Sequence, residues 1–177
     1  MGWSLLSRSF VIVFKMDGLW IRITLATQQL EVFHANNTLL KRYPVSTAAL
    51  GAGEQIGSLQ TPRGLHEIRA RIGVGVPLNT VFVERRLTGE IYSPTLGRVF
   101  KERDWILTRI LWLRGLEKGK NRLGSCDTMR RYIYIHGTAH EKEIGQAVSR
   151  GCIRMYNQDI IELFEWVKPG TKVRIDE

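Results

Sequence analysis

The chain holds 177 residues, 44% of them hydrophobic, and its 26 Lys and Arg against 17 Asp and Glu give a formal net charge of +9. This composition excludes a disordered or collagen-like chain and supports one domain with a buried core; two cysteines are too few for a disulfide scaffold. No apolar run reaches the roughly 18 residues of a membrane-spanning helix, so stable membrane insertion is not expected, and the positive balance suggests an anionic partner without saying which.

In chain order, residues 1–16 come first. Phe10 to Phe14 is apolar, but Arg8 interrupts the run before it, and Lys15-Met16-Asp17 follows without a small-residue cleavage site. The stretch is read as an N-terminal extension, with Met16 an alternative start; the competing reading is a poor signal or anchor. Residues 17–177 are expected to form the domain. Ile21, Ile23 and Leu25 alternate with polar residues, the period of a half-buried strand. Gln28-Gln29 turns the chain, Leu30 to Phe33 resumes a strand, Asn36-Asn37 turns it again, and Leu39 to Ser46 is a third strand. A Gly-rich loop from Gly51 to Gly57 and a Thr61-Pro62-Arg63-Gly64 turn precede a strand over Leu65 to Ile72.

Val81-Phe82-Val83 and Trp105 to Leu113 are further apolar segments; Ile, Thr and Trp in the second favour a strand over a helix. Tyr132 to Ile135 is the clearest strand and runs into His136-Gly137. Asp159-Ile160-Ile161-Glu162 reads as a capping box opening a helix with an apolar face, Pro169-Gly170 stops it, and Thr171 to Ile175 is a last strand. The expected fold is mainly β with one or two helices.

Two short stretches carry chemistry: Ile135-His136-Gly137-Thr138 and Ser149-Arg150-Gly151-Cys152-Ile153-Arg154-Met155. A nucleophilic thiol needs a base within reach and an acceptor that orients the base. His136 at a strand end and Cys152 after a returning loop suit this. No Asp or Asn follows His136 closely, so a backbone carbonyl, Gly137 being the local candidate, is the expected orienting group. Gly151 would let a substrate approach the backbone beside the sulfur, and nearby backbone N–H groups would face an oxyanion. Arg150 and Arg154 are expected to favour thiolate through their field. On spacing and neighbours alone, a buried bystander thiol remains the commoner fate of a cysteine.

These residues resemble the signature of the L,D-transpeptidase catalytic domain, the YkuD-like family. The matches are Ile135-His136-Gly137-Thr138, Ile144-Gly145, Ser149-x-Gly151-Cys152-Ile153-Arg154-Met155, Asn157 and Asp159, with Thr61-Pro62-x-Gly64 and Pro44-Val45-Ser46-Thr47 in the front half. The likeness covers roughly residues 20 to 175. It implies a mixed β-sheet sandwich in a single domain and a cysteine acyl-transferase acting on peptidoglycan stem peptides, with no cofactor and no metal. By resemblance, Cys152 attacks the carbonyl of the third residue of the stem, D-Ala leaves and a thioester remains. His136 carries the proton, the Gly137 carbonyl orients His136, Ser149, Arg150 and Gly151 shape the loop and the oxyanion site, and Thr138 and Arg154 are candidate substrate contacts. Carbapenems are implied as covalent inhibitors.

Many family members have His where this chain has Arg150, so a histidine hydrogen bond is missing there. The stretch from Asp104 to Leu113, then Gly115-Leu116-Glu117-x-Gly119-x-Asn121, looks like a subgroup without export signals that trims tetrapeptides to tripeptides during wall recycling. The expected outcome is therefore an L,D-carboxypeptidase in the cytoplasm. The alternatives are a cross-linking transpeptidase of the cell envelope and a non-catalytic module that binds wall peptides. Residues 98–131 hold ten Lys and Arg against four Asp and Glu. They are read as a basic insertion, either a solvated face or a pocket rim attracting stem-peptide carboxylates; without an aromatic-basic pattern, nucleic acid is not an expected partner. Arg154 suits either a substrate carboxylate or an internal acid. Cys126, His136, His140 and Cys152 lack zinc spacing, and Cys126 is read as a bystander. The oligomeric state stays open.

Overall fold

The computed structural model describes residues 18–177; the extension, the alternative start at Met16 and the signal or anchor reading all lie outside the described residues. Ten strands, β1 (Trp20–Thr24), β2 (Gln29–Phe33), β3 (Leu39–Pro44), β4 (Gly64–Ile72), β5 (Thr80–Val83), β6 (Arg86–Ile91), β7 (Ile106–Gly115), β8 (Tyr134–Gly137), β9 (Ile153–Met155) and β10 (Lys172–Asp176), join in one mixed sheet. Two helices, α1 (Pro94–Val99) and α2 (Asn157–Trp166), complete it. The mainly β expectation, with two helices, holds.

Along the main path the order is β3-β2-β1-β10-β4-β7-β5-β6, with β8 on the other edge of β7 and β9 beyond β8. β1 with β10, and β8 with β9, are the parallel pairs. The strands β1 and β10 alternate as their sequences require: Ile21, Ile23, Val173 and Ile175 point inward, and Arg22, Lys172 and Arg174 outward. These inward residues join Leu30, Val32, Ile68, Leu111, Leu113, Ile135, Ile153 and Met155, and the apolar face of α2, in the main core. Burial of this apolar surface is the chief stabilising term.

β7 is the branch point. Its C-terminal part pairs with β4 and its first residues with β5, while β8 runs antiparallel along its other edge. The register slips near Thr108, which adopts φ 69. Residues 98–131, expected as a basic insertion, therefore contain a central strand of the sheet; Leu107, Ile110, Leu111 and Leu113 are buried in it, Arg109 and Arg114 lie on the same strand, and most of the other charges sit on the segments that flank it.

The helix α2 corrects a second expectation. It starts at Asn157, and Asp159 lies within its first turn rather than capping it. The cap comes from a distant chain segment, since the Glu141 carboxylate accepts the Asn157 backbone N–H at 2.8 Å. That satisfies one of the orphan donors of the first turn. The β6 strand and α1 went unread in the sequence, although Ser93 accepting from the Leu96 N–H and Pro94 in the first turn form a regular helix start.

Candidate active site

Parallel pairing sets His136 beside Arg154, and Cys152, the residue before β9, is placed by packing beside Tyr134 and by the Tyr134 N–H that meets its sulfur. Partners in register point to the same face, so Tyr134, His136 and Arg154 share one side of this edge, with neighbouring side chains on a strand about 6.6 Å apart, and Cys152 packs on that side against Tyr134. Ile135, Ile153 and Met155 take the opposite side and enter the main core. Strand alternation thus separates the reactive groups from the apolar ones.

His136 is buried, and its Nδ1 lies 2.7 Å from the Gly137 carbonyl oxygen. A carbonyl only accepts, so Nδ1 carries the proton and Nε2 keeps a lone pair. Burial, opposed by the charge of Asp104 and by this hydrogen bond, holds the His136 pKa down at about 4. The imidazole is neutral at neutral pH, the state a general base requires. Gly137 is needed for packing as well. A Cβ there would stand 2.2 Å from Asn157 Oδ1 and 2.9 Å from the Leu107 carbonyl oxygen.

Cys152 is half-buried and free, as is the buried Cys126. The Tyr134 N–H donates to Cys152 Sγ at 3.4 Å. Burial pushes the Cys152 thiol up to about 12; Asp104 adds to the rise, while Tyr134, Arg154 and Arg131 oppose it. The expected thiolate, favoured by Arg150 and Arg154, is therefore corrected. Desolvation outweighs the arginine field, because Arg150 is exposed and Arg154 is engaged by Asp104. The resting pair is thiol and neutral imidazole.

The loop before Cys152 is fixed by its own polar groups. Ser149 Oγ donates to the Cys152 carbonyl at 2.6 Å and accepts the Gly151 N–H at 3.2 Å, so that N–H is not left to face an oxyanion. Gly151 has φ 125, in the region that favours glycine, and a Cβ there would meet Ile133 Cδ1 at 3.1 Å. Thr61 Oγ1 donates to the Gly151 carbonyl at 3.0 Å and accepts the Ala48 N–H, tying the front-half turn to the Cys loop.

Arg154 donates to Asp104 Oδ1 at 3.0 Å, which realises the internal-acid alternative for this side chain. Thr138 is fully buried, and its Oγ1 accepts the His140 N–H. Asn157, quoted in the sequence without a role, sits at the centre of the site's support. It accepts from Thr108 Oγ1 at 2.6 Å and donates to the Thr138 carbonyl at 2.7 Å and to Glu141 at 2.8 Å. Asp104, Tyr132, Tyr134, Glu84, Arg85 and Arg131 also went unassigned. The Tyr134-x-His136 alternation was the available signal for one of them; the others reach the site from separate loops and leave no local pattern.

Cys152 opens on a cavity of about 400 Å³ lined by Glu84, Arg85, Asp104, Ile106, Arg131, Tyr132, Tyr134 and Arg150. Arg131 forms one wall by donating to the carbonyls of Gly53 and Gln60 and to Ser58 Oγ. A cavity of about 450 Å³ near Arg63, Glu117 and Arg174 shares none of these residues, and its charges are paired with one another as Arg63–Glu177, Lys120–Glu117 and Arg174–Asp176. Among the described residues no group of three or more His, Cys, Asp and Glu could hold a metal ion, and no helix is long and apolar enough to cross a membrane.

Comparison with known proteins places this geometry. The family model described as the L,D-transpeptidase catalytic domain matches residues 18–175. YkuD of Bacillus subtilis, named as an L,D-transpeptidase, is 51% identical over 47 residues, which are 27% of this chain and 29% of that protein. A relative from Fuscovulum blasticum, also named as an L,D-transpeptidase, is 32% identical over 99 residues, 52% of this chain and 47% of its own. Each match spans less than half of the curated relative concerned. L,D-transpeptidase 3 from Mycobacterium tuberculosis, solved with a faropenem-derived adduct, superposes with a TM-score of 0.55 at 13% identity over 90% of this chain and 60% of its own. LdtMt1 in complex with imipenem gives 0.54 at 17% identity over 89% and 58%. At such identities the superpositions speak for the fold, and the family model speaks for the whole described domain: the chain belongs to the L,D-transpeptidase catalytic-domain family.

Proposed function

We propose that this protein is a cysteine acyl-transferase acting on peptidoglycan tetrapeptide stems, and that water is its acceptor, making it an L,D-carboxypeptidase. The observation that carries this reading is Cys152 packed beside Tyr134 on the face of β8 that also bears His136, with the His136 Nδ1–H held by the Gly137 carbonyl and Nε2 left basic. As Cys152 Sγ attacks the carbonyl carbon of the third stem residue, its proton passes to His136 Nε2. The C–N bond to D-Ala breaks, the leaving amine takes that proton, and a thioester forms. Water then attacks the thioester, giving a proton to His136 that returns to the sulfur as it leaves. Because the sulfur rests as a thiol, deprotonation belongs to the attack itself, and the base is indispensable.

Membership of the family supports the acyl-transfer chemistry, and the imipenem and faropenem-derived complexes of its fold neighbours support carbapenems as covalent probes. Incubation of purified protein with a soluble tetrapeptide and an excess of a second stem peptide, followed by mass spectrometry, tests the outcome. Tripeptide with free D-Ala is expected. A joined dimer with the same loss of D-Ala overturns hydrolysis in favour of cross-linking, and an unchanged tetrapeptide with no carbapenem adduct overturns catalysis in favour of a binding module. The proposal carries a cytoplasmic location with it; fractionation that finds the protein only in the envelope contradicts that part.

A further inference from the structure

We propose that Arg85 and Tyr134 form a seat for the terminal carboxylate of the peptide that Cys152 attacks. The inference rests on the reading of the site given above and adds how the site selects its substrate.

Arg85 stands at the tip of the β5–β6 hairpin. The two turn residues, Glu84 at φ 47 and Arg85 at φ 67, both adopt the left-handed region that such turns usually fill with Asn-Gly. Side chains accept this strain where something else fixes them. Here the fixing group is the Arg85 guanidinium, which lies 4.4 Å from the Trp112 ring centre and 4.8 Å from that of Tyr132. Its Nη1 donates to the Tyr134 hydroxyl at 2.8 Å. Stacking on two aromatic faces pre-organises a cation without neutralising it.

The other cations of the cavity are held differently. Arg131 spends its donors on the loop over residues 53–60, and Arg150, exposed on the Cys152 loop, has no ring, hydroxyl or carboxylate that pre-orders it among the described residues. Arg85 has no carboxylate partner among the described residues, although it lines the cavity that Cys152 opens on. The Tyr134 oxygen accepts from Arg85, so its own O–H proton is free to donate. Burial raises the Tyr134 pKa, keeping that proton in place at neutral pH. The Tyr134 backbone N–H meets Cys152 Sγ, and the Tyr134 and Arg85 side chains line the same cavity as that sulfur.

A planar guanidinium beside a hydroxyl donor is a carboxylate-binding arrangement. In a tetrapeptide cut before its last residue, the α-carboxylate lies one residue beyond the scissile carbonyl. An amidated end lacks the charge, and a pentapeptide carries it one residue too far away. The seat therefore selects a free C-terminus directly after the bond that breaks.

The test compares a tetrapeptide acid with its C-terminal amide. Wild-type protein is expected to prefer the acid by about 10- to 100-fold in kcat/KM, the effect of a charge-assisted hydrogen-bond pair. R85Q should bring that ratio close to one through loss on the acid, and Y134F should lower it part of the way. An equal fall on both peptides would reduce Arg85 to a hairpin clamp and overturn the proposal, as would an unchanged ratio. Calorimetric binding of the same two peptides to C152A protein, with and without R85Q, separates this idea from the catalytic one. An Arg85-dependent preference for the acid supports the seat even if wild-type protein turns nothing over, which would count against the carboxypeptidase. Equal binding of acid and amide overturns the seat whatever the turnover.

Discussion

Two regions of this sheet are built on different rules. In β1 and β10 the side chains alternate, apolar inward and charged outward, and ion pairs such as Arg22–Glu31 cross the outer face. In β8 and β9 every residue is buried on both faces, and one face is polar: His136 and Arg154 lie there, supported by Asn157, Thr108 and Asp104. The first region is held by apolar burial that tolerates adjustment. The second is held by hydrogen bonds whose partners come from distant segments, where each loss leaves a buried group unsatisfied. Removing a side chain from the first should lower stability alone, whereas removal from the second should affect chemistry or geometry.

The sharpest contrast is in turnover. Cys152→Ala should lower kcat by more than about 10⁴-fold, as removal of a covalent nucleophile does elsewhere, with an unchanged melting transition. Residual activity near the wild-type level would end the mechanism. The next largest effect is structural. Asn157→Ala strips three side-chain hydrogen bonds from the site and should cost about 3 kcal/mol in chemical denaturation, together with a fall in kcat. Val173→Ala, in the regular region, should cost about 2 kcal/mol and leave kcat intact. Equal losses of kcat in the two variants would erase the distinction between the regions.

A smaller effect concerns pH. His66, on β4 beside Val173 of the regular region, and His136 in the site both have pKa values pulled down from 6.5 to about 4 by burial. The unfolded chain therefore binds more protons than the folded one between these values. Their contribution to stability is complete above about pH 6.5 and is lost as the pH falls towards 4. His66→Gln should flatten part of this decline in denaturation midpoints without moving the pH profile of turnover, since His66 bonds the Gly64 carbonyl and Thr128 and lies outside the Cys152 cavity. The smallest effect is expected at Cys126, whose thiol donates to the Leu123 carbonyl; Cys126→Ala should change kcat by less than about twofold.

The same contrast explains what could be read before the structure. Strands with alternating burial, such as Ile21 to Leu25 and Thr171 to Ile175, were legible because period two is written in neighbouring residues. The Cys152 and His136 stretches were legible as short motifs. The β5–β6 hairpin was not, because Glu84-Arg85 is an unfavourable turn pair held by tertiary contacts with Trp112, Tyr132 and Tyr134. The start of α2 was misplaced because its cap is Glu141, 16 residues earlier. The thiolate expectation failed because local charge was visible in the sequence and burial was not. Asp104 was quoted only within a subgroup pattern, since its pairing with Arg154 spans 50 residues.

The central claim is that the Cys152 sulfur, resting as a thiol and activated by His136, forms an acyl-enzyme. Intact-protein mass spectrometry after incubation with imipenem, with peptide mapping of the modified residue, tests it most directly. The account predicts one adduct, on Cys152, formed at a rate that drops sharply in His136→Gln and absent in Cys152→Ala. An adduct on Cys126, or acylation of Cys152 that is indifferent to His136, would contradict it.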